Sequence, residues 1–543
     1  MRGCMAANPD VTATAAHPPV RVGAYAWYAL MVLVLVYALN FIDRQILSIL
    51  AQDIKRDLGL QDAQIGFLYG TAFAVFYALF GIPLGRLADS WYRGRVMAIG
   101  LALWSSMTAL SGFASSFTML AVARIGVGVG EAAASPAAYS MISDWFPKEK
   151  RATALSIYSS GLYIGGALSL PIGGFVLSRW NLAYPNPAEA PLGLVGWQAA
   201  FLAVGIPGLL VALWVLSLKE PQRGASDGLP QPIVRPHAWR DFGRELVAIL
   251  PPLTLLNVSR IPGALKVNLI VLAIVAAFAY GLIRLTGDLP QWCAYGLGVY
   301  AVFSWVQSLK NRDPATHRLI WGTPTTIILA LSFGSISFVT YAVSFWGPPY
   351  VLRTFYPDPT GPAFYMGGMT AAEEVAFIIG WGAAVSAAAG VIMGGVIADL
   401  WRRSDPRGRI FVNMGSVILS APLTWFLFTT DEVALFYWVF PLAHMFGAAW
   451  VGAAVATLQD LVLPRMRGTA GATYILGTTM IGLALGPYFA GKVADVAESL
   501  RMGIFSLYLM VPLTLLGLWL GSRRIAEIEA TKIERARAAG EEI

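Results

Sequence analysis

Long apolar segments recur along the whole chain, and they limit the folds that it can adopt. Fourteen of them can be recognised, with lengths near the 20 or so residues that an α-helix needs to cross a bilayer. Only 13% of the 543 residues are charged and 57% are hydrophobic, whereas soluble domains carry about 25% charged residues. A membrane β-barrel would instead show alternating strands of about ten residues. The sequence therefore predicts an all-α integral membrane protein.

The apolar segments form two groups of six with a pair between them. The first group comprises 25–49, 64–88, 96–115, 117–146, 151–179 and 197–218; the pair comprises 265–284 and 290–309; the last group comprises 324–350, 370–400, 408–429, 433–461, 468–492 and 503–521. The even total predicts that both termini lie on the same side of the membrane.

Clustered arginines and lysines give the orientation. They concentrate in one alternate set of loops, which the positive-inside bias places in the cytoplasm. We therefore predict a multi-pass protein with both termini cytoplasmic, in the inner membrane if the source is bacterial. The predicted parts are a cytoplasmic tail (1–24), a six-helix bundle (25–220), a cytoplasmic linker (221–263), an inserted transmembrane hairpin (264–310), a second six-helix bundle (311–522) and a cytoplasmic tail (523–543).

Two motifs occur twice along the chain. The pattern Gly-x-x-Ala-Asp-x-Trp is found at 85–91 and at 395–401, each time at the end of the second helix of its group. An aspartate, six residues and then Arg-x-Thr-Ala are found at 144–154 and at 460–470. Because the intervals between copies are nearly equal, the repeats predict two structurally related bundles.

The fourth apolar segment carries charges well inside the membrane. At about 100° per residue, Arg124 and Glu131 share one helix face with Ser135, and Asp43 lies inside the first segment. A charge that faces lipid costs at least about 2.5 kcal/mol, so we expect this face to line a water-filled path or to meet partner charges. A second stripe of small residues, which includes Gly130, predicts close approach of a neighbouring helix.

Motifs in both halves resemble those of one transporter family. The segment 85–95, with Gly85, Asp89 and Arg93, resembles the loop motif of the major facilitator superfamily. Segments 40–45, 124–139 and 338–346 resemble its spinster-like branch. The resemblance implies the major facilitator fold, two six-helix bundles that alternate access to a central cavity; the two inserted helices are an addition to it.

The same resemblance implies a transport function and the charged residues that couple it to protons. It implies a secondary active transporter, driven by protons, for an amphiphilic lipid-like substrate of the lysophospholipid or sphingoid phosphate class. On the matching positions it implies Asp43 and Glu131 as proton-coupling carboxylates and Arg124 as their partner. Depths along the helices predict that Asp43 meets Arg124 while Glu131 lies deeper. The alternative is a fixed ion pair that does not titrate.

Candidate substrate contacts come from side chains near these charges. Arg44 either binds an anionic headgroup or extends to the outer surface. Aromatic residues in membrane helices line a pocket for an amphiphile or serve as packing and interface anchors. The candidate substrate-binding residues are Arg44, Ser135, Tyr139, Tyr163, Tyr341, Phe345 and Trp346. His444 is expected to be a packing residue rather than a proton relay.

The repeated loop motif predicts a gate on the arginine-rich side. A carboxylate at the end of a helix can pair with arginines or with a helix N-terminus of the other half, and such bonds would break as the halves rock. The candidate gating residues are Asp89, Arg93, Arg95, Asp399 and Arg403.

The sequence lacks the motifs of several functional classes. The sequence holds no nucleotide-binding P-loop, metalloprotease motif or nucleophile elbow. We therefore predict a monomer that is not an enzyme and uses no cofactor, metal, ATP or nucleic acid; its partners are substrate, protons and membrane lipid. Two alternatives stay open: a transporter of a small organic anion or sugar acid held by Arg44 and Arg124, and a non-transporting lipid sensor or scaffold.

Overall fold

The structure is a computed structural model that describes residues 22–541, except 225, 227–231, 235 and 357. Most of the tail 1–24 and part of the linker therefore lie outside the described residues. Six helices form the first half: α1 (Ala24–Leu58), α2 (Asp62–Ala88), α3 (Arg93–Ser111), α4 (Phe117–Trp145), α5 (Lys148–Ala183) and α6 (Gly196–Leu216).

Besides two short helices of five and seven residues, Thr254–Val258 and Pro314–Ile320, three longer helices of the described chain separate the two halves. They are the short α7 (Ala238–Ile249) and a hairpin made of α8 (Ala264–Thr286) and α9 (Leu289–Arg312). The second half contains α10 (Pro324–Phe355), α11 (Ala371–Arg402), α12 (Gly408–Leu427), α13 (Val433–Asp460), α14 (Pro464–Ala497) and α15 (Leu500–Ala530), and a short helix α16 (Lys532–Arg537) follows.

The helix inventory confirms the all-α membrane fold with an inserted hairpin. Twelve helices of the described chain are long and apolar enough to cross a membrane. The more polar α3 and α9 have 19 and 24 residues and pack among the other helices. With them the count is the fourteen expected from the sequence.

Helix α1 extends nine residues further than the sequence predicted. It continues beyond residue 49 through a polar stretch to Leu58, and Gly59 ends it in the left-handed conformation at φ 63°. Within that stretch Arg56 pairs with Asp53 at 2.7 Å, one turn away. Asp43 therefore lies near the middle of a 35-residue helix, and its predicted depth in the membrane stays a prediction.

Helix α4 is interrupted directly after Glu131. The first segment ends at Glu131 and the second begins at Ala134. Pro136 has no backbone N–H to donate to the carbonyl of Ala132, which removes one helical hydrogen bond at this point. The glycine stripe does allow the expected close approach, because a β-carbon at Gly130 would lie 2.7 Å from the carbonyl oxygen of Gly100 in α3.

The two halves touch near one end of the bundle. We call the end that carries Arg93 and Arg409 the basic face, and the other end the opposite face. Near the opposite face, α2 packs on α14, where a β-carbon at Gly66 would lie 2.5 Å from the carbonyl oxygen of Pro487. Helix α5 packs on α11 in the same way, with Gly174 against Ala376. These two lines of contact are the α2/α14 seam and the α5/α11 seam.

Candidate functional site

A buried ion pair lies in the interior of the first half. The Arg44 guanidinium of α1 donates to Glu131 of α4, with 2.6 Å between Nη2 and Oε2. The two side chains are 9% and 0% exposed. The same Nη2 also lies 3.4 Å from Oδ1 of Asn40. Loss of either partner would leave the other charge buried and unpaired, because water reaches neither group unless the bundle opens.

Aromatic rings surround the Arg44 guanidinium. Its Cζ lies 4.4 Å from the ring centre of Phe73, 4.9 Å from Phe41 and 5.3 Å from Tyr77. Cation–π attraction contributes about 2 kcal/mol when such a site is desolvated. The cage holds the arginine in place even when its carboxylate partner changes.

Asp43 and Arg124 lie next to this pair without a direct ion pair between them. Arg124 donates to two backbone carbonyls, that of Asp43 at 3.3 Å and that of Leu68 at 3.4 Å. Oδ1 of Asp43, Oε1 of Glu131 and Nη2 of Arg124 are buried and accept or donate no hydrogen bond among the described residues.

The interior charges exclude one of the two alternatives for Arg44 and correct one predicted pair. Arg44 is 7% exposed and bonded to Glu131, so it does not extend to the outer surface. The arginine that pairs with a carboxylate is Arg44, whereas Arg124 bonds to backbone oxygens. Because adjacent residues of a helix point about 100° apart, Arg44 can reach Glu131 while Asp43 faces α3 and α4.

The predicted aromatic contacts fall into two groups. Phe345 and Trp346 are fully buried; Phe345 stacks on Tyr69 of the first half with centroids 4.1 Å apart. Because neither ring is exposed in this structure, their role as substrate contacts stays a prediction. Tyr139 is 43% exposed and lies edge-on to Tyr158.

A cavity of about 120 Å³ lies along the α5/α11 seam. It contains the predicted Tyr163, together with Gln45, Ser48, Ala387 and His444. His444 stacks on Phe440 at 5.5 Å as expected for packing, yet it also lines this cavity. Tyr341 and Ser135 are half-buried and do not line it.

On the basic face, Arg93 organises the predicted gating residues of the first half. It is fully buried and pairs with Asp144 at the end of α4 and with Glu220 after α6, the latter at 2.7 Å. Asp89 and Arg93 both line a polar cavity of about 370 Å³. Arg95 is exposed and lies against Tyr92.

The second half repeats this arrangement with a different arginine from the one predicted. Arg409 pairs with Asp460 and with Asp399, the latter at 2.9 Å. Arg403 is exposed because it lies beyond the end of α11, whereas Arg409 projects from the first turn of α12. The pairs in which Arg93 and Arg409 take part lie within one half, so a gate across the halves at Asp89 stays a prediction.

Bonds between the halves are found on the opposite face. Asp62 of α2 accepts two hydrogen bonds from Arg353 of α10, at 2.6 and 2.7 Å. Asp495 of α14 accepts from the backbone N–H groups of Asp62 and Ala63, both at 2.8 Å. Across the other seam Arg179 pairs with Glu373 at 2.8 Å. We call this set of bonds between the halves the lock. The sequence analysis identified only the repeated basic loops, because the residues of the lock form no short motif.

We expect Asp62→Asn to weaken the lock and shift the protein toward a state open on the opposite face. The amide keeps its size but loses the charge that binds Arg353 and Lys55. Thiol labelling of a cysteine introduced at Tyr69, which is fully buried, should become faster. Asp431→Asn is the matched control, because Asp431 is 91% exposed and its pair with Arg501 is long, 3.5 Å. Equal labelling rates in the two variants would exclude the lock.

Comparison with known proteins supports a single family. The family model of the Major Facilitator Superfamily matches residues 33–487. An MFS-type efflux pump of Mycolicibacterium smegmatis is 26% identical, with 92% of this chain and 93% of that protein covered. Protein spinster homolog 1 of Xenopus tropicalis is also 26% identical, over 87% of this chain and 74% of that protein.

Two further similarities concern part of the chain and the fold. A probable L-galactonate transporter of Escherichia coli is 29% identical over 34% of this chain and 37% of its own length. The crystal structure of a bacterial homologue of the human lysosomal transporter Spinster, inward-facing and unoccupied, matches with a TM-score of 0.69 and 24% identity, covering 93% of this chain and 98% of that one.

Proposed function

The chain belongs to the major facilitator superfamily and is spinster-like within it, and we propose that it is a proton-coupled secondary active transporter of an amphiphilic, lipid-like substrate. The observation that carries the proposal is the buried pair of Arg44 and Glu131 beside Asp43 and Arg124. Ionisable groups inside a membrane bundle are costly and are kept for ion or substrate pathways.

The geometry suggests how a proton and an anionic headgroup compete for Arg44. While Glu131 is ionised it occupies the guanidinium. A proton that binds Glu131 neutralises it and releases the N–H groups of Arg44 for a phosphate oxygen of the substrate. When the substrate leaves, the proton leaves Glu131 and the ion pair forms again. Asp43 is the second carboxylate of the proposed proton path.

The arrangement of the halves supports alternating access. They are bonded to each other on the opposite face, at Asp62 and Arg353, while the ion pairs of Arg93 and Arg409 on the basic face stay within each half. We place the basic face and both termini in the cytoplasm on the positive-inside bias. In that orientation the bonds between the halves lie on the outer side, from which we infer an inward-facing conformation, the state in which the similar bacterial Spinster homologue was solved.

Purified protein in vesicles tests the proposal. With a pH difference across the membrane, a lysophospholipid should move and a proton should move with it, and Asp43→Asn should uncouple the two. Lysophospholipid movement with the same dependence on the pH difference in Asp43→Asn and in the native protein would contradict proton coupling through this cluster.

A sugar-acid or small organic-anion transporter is the second candidate. It is favoured by the similarity of one third of the chain to a probable L-galactonate transporter and by two buried arginines, Arg44 and Arg124, that can hold a carboxylate. Galactonate offered to the same vesicles separates the candidates: its uptake in competition with lysophospholipid favours the small anion. Binding of lipid without any flux would favour a sensor.

A further inference from the structure

The inserted hairpin lies across the α2/α14 seam and contacts both halves. Gly298 of α9 is the clearest point: a β-carbon there would lie 2.6 Å from Met480 of α14 and 2.9 Å from Val75 of α2. Trp305 and Ala301 of α9 share a buried apolar cluster with Leu79 of α2. Helix α9 is therefore packed into the seam, and α8 lies outside it, with Phe278 70% exposed.

The tip and the base of the hairpin are fixed by polar contacts. At the tip, Asp288 accepts a hydrogen bond from Tyr488 of α14 at 2.7 Å and pairs with Lys492 at 2.9 Å. At the base, Arg312 pairs with Glu245 of α7 at 3.1 Å, and α7 itself packs on α2. The hairpin is thus held along its whole length rather than attached by its ends.

Helix α9 covers the part of the α2/α14 seam that lies toward the basic face. The two helices touch near the opposite face, where Thr71 donates to the carbonyl of Ala484 at 2.6 Å. Toward the basic face, Val75 of α2 and Met480 of α14 share one buried cluster with Trp305 of α9, and both contact the hairpin. Helix α9 therefore packs over side chains of both halves at this part of the seam.

The α5/α11 seam also joins the two halves, but its surface is different. Its helices touch near the opposite face, at Gly174 and Gly380. Toward the basic face the central cavity lies between them, lined by Tyr163 and Ala387. Val385 and Ile392 of α11 are 64% and 68% exposed there, so this side faces the bilayer.

We propose that the inserted hairpin seals the α2/α14 seam against lipid, so that a bilayer-resident substrate exchanges with the central cavity through the α5/α11 seam. The inference rests on the proposed lipid-like substrate, because a water-soluble anion has no need of a route from the bilayer. It gives the extra helix pair a role in selecting the direction from which substrate arrives.

Photolabelling with a small apolar aryl diazirine dissolved in the vesicle membrane tests the seal without reference to substrate. Carbene insertion should mark Tyr163 and residues 383–387, and should leave Val75 and Leu79 unmarked. Gly298→Leu, which pushes α9 off both halves, should raise labelling at Val75 and Leu79 several-fold. Gly281→Leu is the matched control, since nothing lies within 4 Å of its β-carbon position on α8.

Labelling that is equal on the two seams of the native protein, or unchanged by Gly298→Leu, overturns the seal. A transport measurement tests the route. Gly166 of α5 lines the cavity, and nothing lies within 4 Å of its β-carbon position. Gly166→Trp should therefore reduce lysophospholipid movement several-fold relative to Gly281→Trp. The expected labelling in a native protein that moves no lysophospholipid supports the seal and rejects the proposed substrate class.

Discussion

Replacing Glu131 by glutamine should abolish proton-driven accumulation while leaving substrate exchange in place. The amide has nearly the shape of the protonated acid and cannot release a proton, so the cycle loses its coupling step but retains a state that binds substrate. Accumulation against a gradient should fall at least about tenfold, equivalent to about 1.4 kcal/mol or more of lost driving force. Counterflow of labelled substrate between vesicles and medium, measured without a pH difference, should persist.

Loss of folding is a separate effect that the same experiment can identify. A broken buried ion pair costs about 3–5 kcal/mol because one charge is stranded, although the aromatic cage around Arg44 reduces this cost. Glu374→Gln is the matched control: Glu374 is also fully buried, but it binds backbone N–H groups near the opposite face, at 2.6 and 2.8 Å. Full proton dependence in Glu131→Gln would remove Glu131 from the coupling mechanism.

Replacing Arg93 by alanine should be the most destabilising single change on the basic face. Arg93 is fully buried and joins α3 to Asp144 and Glu220; without it these two carboxylates lose their ion pair and keep backbone N–H donors, those of Gly224 and Gly94. We expect a loss of about 3–5 kcal/mol of unfolding free energy, seen as a large drop in the melting temperature of purified protein. Lysine should not restore it, because one ammonium cannot reproduce the forked contacts of a guanidinium.

The neighbouring arginine provides the control. Arg95 is exposed and contacts only the ring of Tyr92 among the described aromatic groups, at 4.5 Å, so Arg95→Ala should cost less than about 1 kcal/mol. Arg409→Ala should lie between the two, since Arg409 is 15% exposed and its partner Asp399 is 68% exposed. Equal melting temperatures for Arg93→Ala and Arg95→Ala would show that the buried network adds nothing to stability.

The fold could be predicted from the sequence because the bilayer imposes a simple rule on it. Apolar segments of fixed length must be helices, and repeated motifs at 85–91 and 395–401 reveal the two halves. The end of α1 was missed because lipid no longer dictates polarity there: residues 50–58 are held by local pairs and by contacts with the other half rather than by hydrophobicity.

The charged residues of the site were predicted from the sequence, but the ion pair that they form was not. Intramembrane charges at Asp43, Arg124 and Glu131 were visible as exceptions in apolar segments. Which arginine meets Glu131 depends on the rotation of α1 about its axis, and that rotation is set by packing with α4 and α5. The lock formed by Asp62 and Arg353 joins residues 291 positions apart, and short-range patterns carry no information about such contacts.

The length of α1 has a mechanical consequence. The interval from Asp43 to Leu58 is fifteen residues, so the end of the helix stands about 22 Å from the charge cluster. A tilt of about 10° centred on that cluster displaces the end by about 4 Å, more than a hydrogen-bond length. A small rotation of α1 about the charge cluster would therefore be enough to break hydrogen bonds near its distant end.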